Sequence, residues 1–147
     1  MNITRILFLL ITCQYYFLAA VQTLEIPKHM KSAAKKLTNI CMKDTRATED
    51  LFHGTKETGK LPDDNRLKCF LHCVLDKVGL IDNDNIIHLD NLFEVLPPEF
   101  LPIVEQLHTT CGTQSGVDGC ETAYLTTECY IKTNPMILEM LFVSLSD

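Results

Sequence analysis

The sequence predicts an all-α, disulfide-stapled domain, and three observations carry that prediction. Apolar residues recur at helical spacing along nearly the whole chain, and no stretch alternates as a strand would. Six cysteines, Cys41, Cys69, Cys73, Cys111, Cys120 and Cys129, separated by 27, 3, 37, 8 and 8 residues, follow an apolar N-terminal leader. An even set behind a leader indicates disulfides formed in an oxidising compartment. Cys69 and Cys73 stand four apart, so on a helix they share one face and can staple it to two other parts of the chain.

Residues 1–20 read as a secretory signal: Arg5, the unbroken apolar run Ile6 to Ile11, then Ala19 and Ala20 at a small-residue cleavage site, with cleavage after Thr23 as the second choice. A membrane anchor is the competing reading, but the segment Ile6 to Val21 is short for a span and is interrupted by Thr12, Gln14, Tyr15 and Tyr16. The seventh cysteine, Cys13, leaves with the leader, as does the one sequon, Asn2-Ile3-Thr4. Residues 21–147 then form a single secreted, extracellular domain. Losing Arg5 makes its charge one unit more negative than the −6 of the whole chain. That balance argues against nucleic acid and anionic membrane surfaces as partners. A hydrophobic content of 46% argues against disorder.

The first helix starts at Pro27 and presents Met30, Ala33, Ala34, Leu37, Ile40 and Cys41 on one stripe, with Lys28, Lys31, Lys35 and Lys36 on a solvated face. A short second helix follows Thr48, its N-cap candidate, and ends near Gly54. After the turn Gly59-Lys60-Leu61-Pro62, Asp63 and Asp64 open the third helix. Its stripe of Leu67, Phe70, Leu71, Val74, Leu75 and Val78 is the clearest in the chain, and Gly79 closes it. Ile81 to Asn85 reads as a polar loop. A fourth helix carries Leu89, Leu92, Phe93 and Leu96 up to Pro97-Pro98, and a fifth runs from Pro98 or Pro102 to Cys111 with Ile103, Val104 and Leu107 as its apolar side. Asp118 caps a sixth helix that ends before Pro135. The tail from about residue 135 is rich in Met, Ile, Leu and Phe, so it should pack on the body rather than stay exposed.

The cysteine spacing, the segment Arg66-Leu67-Lys68-Cys69-Phe70-Leu71-His72-Cys73 with its continuation Leu75-Asp76-Lys77-Val78-Gly79-Leu80-Ile81-Asp82, and the segment Asp118-Gly119-Cys120-Glu121-Thr122-Ala123-Tyr124 with Cys129-Tyr130 and Asn134-Pro135 resemble the insect odorant-binding proteins of the general-odorant and pheromone-binding kind. The resemblance covers essentially all of residues 21–147. It implies a compact six-helix array around an apolar cavity and the pairing Cys41–Cys73, Cys69–Cys120 and Cys111–Cys129, which spacing alone does not select. The tail is longer than in relatives that stop soon after the last cysteine; in longer relatives it covers or enters the cavity.

A carrier of this type performs no bond chemistry, and its site is an apolar wall with a few orienting polar groups. Candidate ligand-binding residues are Phe52, Phe70, Val74, Leu75, Phe93, Leu96, Leu107, Tyr124, Met140 and Phe142, each with ordinary core packing as its alternative. Tyr124 combines a ring with a hydroxyl, and Met140 adapts to different shapes. No cofactor and no metal are expected. His72 between Cys69 and Cys73 superficially resembles zinc spacing, but exported thiols are oxidised and no second cluster is present. His72 with Asp76 imitates a base and its orienting carboxylate. A secreted phospholipase, however, would need a glycine-rich calcium loop and different cysteine spacing, and the chain has no nucleophile elbow and no phosphate-binding loop. A pH switch is suggested by His88, His108, Glu139 and Asp147, with protonation near about pH 6 loosening a packed lid. The function expected is extracellular transport of a small hydrophobic molecule (odorant, pheromone or fatty-acid-like) towards a chemosensory receptor, by a monomer or weak homodimer without stable membrane insertion. The rivals are a secreted protein-interaction module with a filled core, and a lipid or hormone carrier outside chemosensory tissue.

Overall fold

A computed structural model describes residues 28–143 of the chain. The leader, Pro27, Cys13 and residues 144–147, including Asp147, lie outside the described residues. These comprise six α-helices: α1 (Lys28–Thr45), α2 (Thr55–Thr58), α3 (Asn65–Lys77), α4 (Leu101–Thr110), α5 (Gly119–Thr133) and α6 (Met136–Val143). Short 3-10 turns lie at Glu49–Phe52, Leu89–Leu92 and Pro98–Phe100. No strand occurs among the described residues, only an isolated antiparallel bridge between Ile81 and Ile87.

α3 is held from two sides. Cys73 joins it to Cys41 of α1, and Cys69, one turn earlier, joins it to Cys120 in the first turn of α5. Cys111, just past α4, pairs with Cys129 on α5. This is the pairing the family resemblance implies, and each bridge contributes about 2–4 kcal/mol. The Cα atoms of Cys69 and Cys120 are 4.4 Å apart. Such an approach suits a residue without a side chain next to the bridge: a Cβ on Gly119 would lie 2.6 Å from Nε2 of His72 and closer still to Oδ1 of Asn85.

The termini of α3 and α5 reflect their flanking residues. Asp64 accepts a hydrogen bond from the Arg66 backbone N–H at 2.8 Å, and the Arg66 guanidinium closes on the same carboxylate at 2.8 Å. That side-chain hydrogen bond, with the backbone one, pulls the Asp64 pKa down to about 2. At the other end, Leu80 N–H reaches the Leu75 carbonyl and Gly79 N–H the Asp76 carbonyl, a closure that requires the positive φ of 71° at Gly79. Asp118 caps α5 by accepting from Glu121 N–H at 2.9 Å, and Glu121 returns a carboxylate to Val117 N–H at 2.8 Å.

Two expected helices differ. The second is split into the turn Glu49–Phe52 and the single-turn α2, because Gly54 between them takes φ 80°; Thr48 sits at the N-cap position without a side-chain cap bond. The fourth is only a 3-10 turn at Leu89–Leu92, followed by one further turn in which Leu96 N–H reaches the Leu92 carbonyl. His88 N–H pairs with the Leu80 carbonyl across the preceding loop, and Pro97 stops any helical continuation just past Leu96.

The apolar interior falls into two clusters. One surrounds Leu67, Phe70, Leu71, Ala123, Tyr124 and Ile131, between α1, α3 and α5. The other gathers Ile81, Ile87, Leu89, Val104, Leu107, Cys111 and Tyr130. Leu75 and Ile137 pack against both. α5 is buried on most of its circumference, threonines included. Thr126 Oγ1 accepts from Gln114 N–H and Thr122 Oγ1 from Gly116 N–H, each at 2.9 Å, so these buried hydroxyls pin the loop preceding α5.

Candidate functional site

The second cluster does not close on itself. It borders a cavity of about 240 Å³ whose wall comes from four parts of the chain: Met30, Lys31 and Ala34 of α1; Leu89, Leu92 and Leu96; Phe100, Ile103, Val104 and Leu107; and Ile137 and Met140 of α6. Pro97 and Pro98 prevent the Leu89–Leu96 stripe from continuing into α4 as one helix. The stripe on α4 therefore takes a different direction, and both border one space. On the far side Asn134 ends α5 and starts α6. Its N–H reaches the Tyr130 carbonyl at 2.8 Å and its Oδ1 accepts from Met136 N–H at 3.0 Å. The chain thereby turns so that Ile137 and Met140 meet the wall.

The Asp/Asn-rich segment expected as a plain loop is a built support for Leu89. Oδ1 of Asp82 accepts from the N–H groups of Asp84 and Ile86, each at 2.9 Å, Asn85 takes a positive φ of 61°, and Ile81 and Ile87 are buried in the cavity-side cluster. Nε2 of His88 lies 2.8 Å from Oδ2 of Asp82. That hydrogen bond raises the His88 pKa and lowers that of Asp82. Protonating His88 therefore strengthens its contact, the reverse of the loosening expected from the sequence. His108 is exposed on the last turn of α4, away from the cavity wall.

Of the residues nominated from the sequence, the structure brings Leu96, Leu107 and Met140 together on the wall. Phe52 and Phe70 lie instead in the filled cluster, where their rings meet edge to face with centroids 5.5 Å apart. Tyr124 is there too, its hydroxyl donating to the Leu61 carbonyl at 3.0 Å, and burial raises its pKa. Val74 packs against that cluster, and Leu75 sits between the two. Phe93 is 40% exposed and off the wall. Phe142 belongs to α6, but its side chain lies outside the described residues.

The wall residues not nominated are Met30, Lys31, Ala34, Leu89, Leu92, Phe100, Ile103, Val104 and Ile137. Most were visible as apolar stripes; their meeting around a void was not. The helical pattern places Lys31 on the solvated face of α1. It lines the cavity while remaining exposed overall, so its alkyl stem borders the space and its ammonium stays near water. It is the one charged residue among the twelve lining the cavity.

Cys69 and Cys73 are both in disulfides and cannot act as thiolate ligands, and among the described residues no three His, Cys, Asp or Glu side chains assemble as a metal site. No helix among them is long and apolar enough to cross a membrane.

Comparison with known proteins adds three relatives and a family. Residues 24–133 match the PBP/GOBP family. General odorant-binding protein 69a of Drosophila melanogaster is 41% identical over 127 residues, covering 86% of each chain. The crystal structure of the medfly odorant-binding protein CcapOBP22/CcapOBP69a is 73% identical, covers 78% of this chain and 99% of its own, and superposes with a TM-score of 0.74. Odorant-binding protein 7 of Anopheles gambiae, solved with four disulfide bridges in complex with an azo compound, is 30% identical over 84% of this chain and 100% of its own, with a TM-score of 0.78.

Proposed function

Because the chain belongs to the PBP/GOBP family, a family of small-ligand carriers and not of enzymes, we propose that its cavity holds one small, poorly water-soluble molecule of odorant or pheromone type. The protein then carries that molecule through an extracellular aqueous phase to chemosensory receptors, after export on the leader at residues 1–20. The observation that carries this reading is the 240 Å³ space bounded almost entirely by apolar side chains from four segments. Its size sits just below the roughly 300–1,000 Å³ of pockets for drug-sized ligands, which favours a volatile-sized guest over a long-chain lipid. The complex of the mosquito relative with an azo compound supports a small-molecule guest on this fold.

Affinity would come from burying apolar ligand surface, at about 25 cal/mol per Å² before the costs of association. A dissociation constant of the order of micromolar, about −8 kcal/mol, is expected. The test is titration of the oxidised protein, residues 21–147, with an environment-sensitive apolar fluorophore, followed by competition with volatiles. The chain has no tryptophan to obscure the signal. Saturation near one site per chain, reversed by particular volatiles, is the expected result. Absence of saturable binding by correctly oxidised protein would mean that the cavity is not a ligand site.

A further inference from the structure

The twelve side chains around the cavity include a single charge, the ammonium of Lys31. It belongs to α1 with Met30 and Ala34, and no ion pair joins it to an acidic side chain among the described residues. Lys68 binds Asp63 at 2.7 Å and Lys132 meets Glu128 at 3.5 Å, but what sets Lys31 apart from the other lysines is its place on the cavity wall. A cation with no carboxylate partner among the described residues, on the wall of an apolar space, is placed to receive one from a guest whose chain fills that space. The surrounding charge makes the feature more informative. The protein is acidic, with a formal charge of −6, so its overall field repels anions and any tolerance of a carboxylate must be local.

We propose that Lys31 is a specificity-determining residue that lets the cavity take short amphiphiles ending in a carboxylate, with the alkyl part against Leu92, Val104, Leu107 and Met140 and the carboxylate on the Lys31 ammonium. The inference rests on the carrier reading and refines it from small apolar molecules to a chemical class. The contact is a charge-assisted hydrogen bond near water, stronger than a neutral one and open to screening by salt.

The experiment displaces N-phenyl-1-naphthylamine with octanoate and with 1-octanol, near neutral pH where the acid is ionised. It compares wild type with Lys31→Met, Lys31→Arg and Lys36→Met. Lys36 carries the same charge on α1 but does not line the cavity. Lys31→Met should weaken octanoate by about threefold to tenfold and leave octanol within about twofold. Lys31→Arg and Lys36→Met should keep the wild-type ratio of the two affinities. High salt should weaken octanoate on wild type more than on Lys31→Met. Fluorophore saturation shows that each variant is folded. If fluorophore and octanol bind while the ratio is unchanged by Lys31→Met, or is changed equally by Lys36→Met, the assignment of Lys31 is wrong and the carrier reading stands. If wild type binds neither fluorophore nor octanol, the carrier reading fails and this inference with it.

Discussion

The half of the molecule between α1, α3 and α5 and the half bordered by Leu89 to Leu107 use the same kinds of side chain and reach opposite ends. In the first, helices of 18, 13 and 15 residues lie tied together by Cys41–Cys73 and Cys69–Cys120, and their faces interlock around Leu67, which has no exposure at all. In the second, a 3-10 turn, a proline break and the ten-residue α4 are held by Cys111–Cys129 and a network in the preceding loops. These short, interrupted elements border space that their side chains do not fill. Unfilled space forgoes dispersion contacts, and the disulfides and the solid half offset that loss. Apolar character thus decides that a surface is buried; the length and connection of the elements decide whether it is packed or hollow.

The largest effect that sharpens this contrast comes from deleting the same group in each half. Leu67→Ala should cost about 4–5 kcal/mol, near the top of the range for buried leucine, because its surroundings are filled on every side. Leu107→Ala should cost about 2 kcal/mol, since Leu107 already faces a void and has fewer contacts to lose. Denaturant titration of both variants measures the difference. Equal costs would mean that Leu107 is packed as tightly as Leu67 and that the two halves are not distinct.

The converse substitution is smaller in effect and opposite in logic. Ala123→Leu, at a fully buried position on α5, should overpack and destabilise by about 1–3 kcal/mol. Ala34→Leu, on the cavity wall, has room for the added atoms and should leave stability within about 0.5 kcal/mol while weakening the fluorophore. Thermal melts with binding titrations separate the two. An Ala34→Leu variant as destabilised as Ala123→Leu would put the cavity elsewhere.

The contrast also explains what the sequence could reveal. α3 was legible end to end, because Asp64, the stripe from Leu67 to Val74 and Gly79 each act locally. The stripes on Leu89–Leu96 and Ile103–Leu107 were legible as apolar faces. The first is a 3-10 turn rather than the expected helix, and the bond from His88 N–H to the Leu80 carbonyl that ties its start to the preceding loop forms only in the folded chain. The nominated rings Phe52, Phe70 and Tyr124 fill the core instead: the phenylalanines meet edge to face and the tyrosine hydroxyl donates to the Leu61 carbonyl. The void is instead bordered mostly by Leu, Ile, Val and Met, with Phe100 as its one ring, Ala34, and one of the five lysines on α1. Spacing shows which way a side chain points along its own helix, not how far away the opposing surface stands.

The smallest expected effect separates the halves by pH. Asp64, capping α3 in the filled half, stays ionised down to about pH 2 and does not respond to mild acid. In the hollow half the Asp82–His88 hydrogen bond raises the histidine's pKa and lowers that of the aspartate. The raised His88 pKa contributes stability that is fully present below about pH 6.5, its unfolded value, and is lost as pH rises through the folded value. The lowered Asp82 pKa contributes stability present above about pH 4 and lost as pH falls through its folded value. Between those limits the pair holds the loop under Leu89, so acidification from neutral towards about pH 5 tightens that side of the cavity. Both groups are exposed, so the change in stability should be slight and salt-sensitive. An NMR titration should find the His88 midpoint above about 6.5 in the wild type and lower in Asp82→Asn. A wild-type midpoint at or below that value would show that the pair does not hold in solution, and acid release through His88 would again be open.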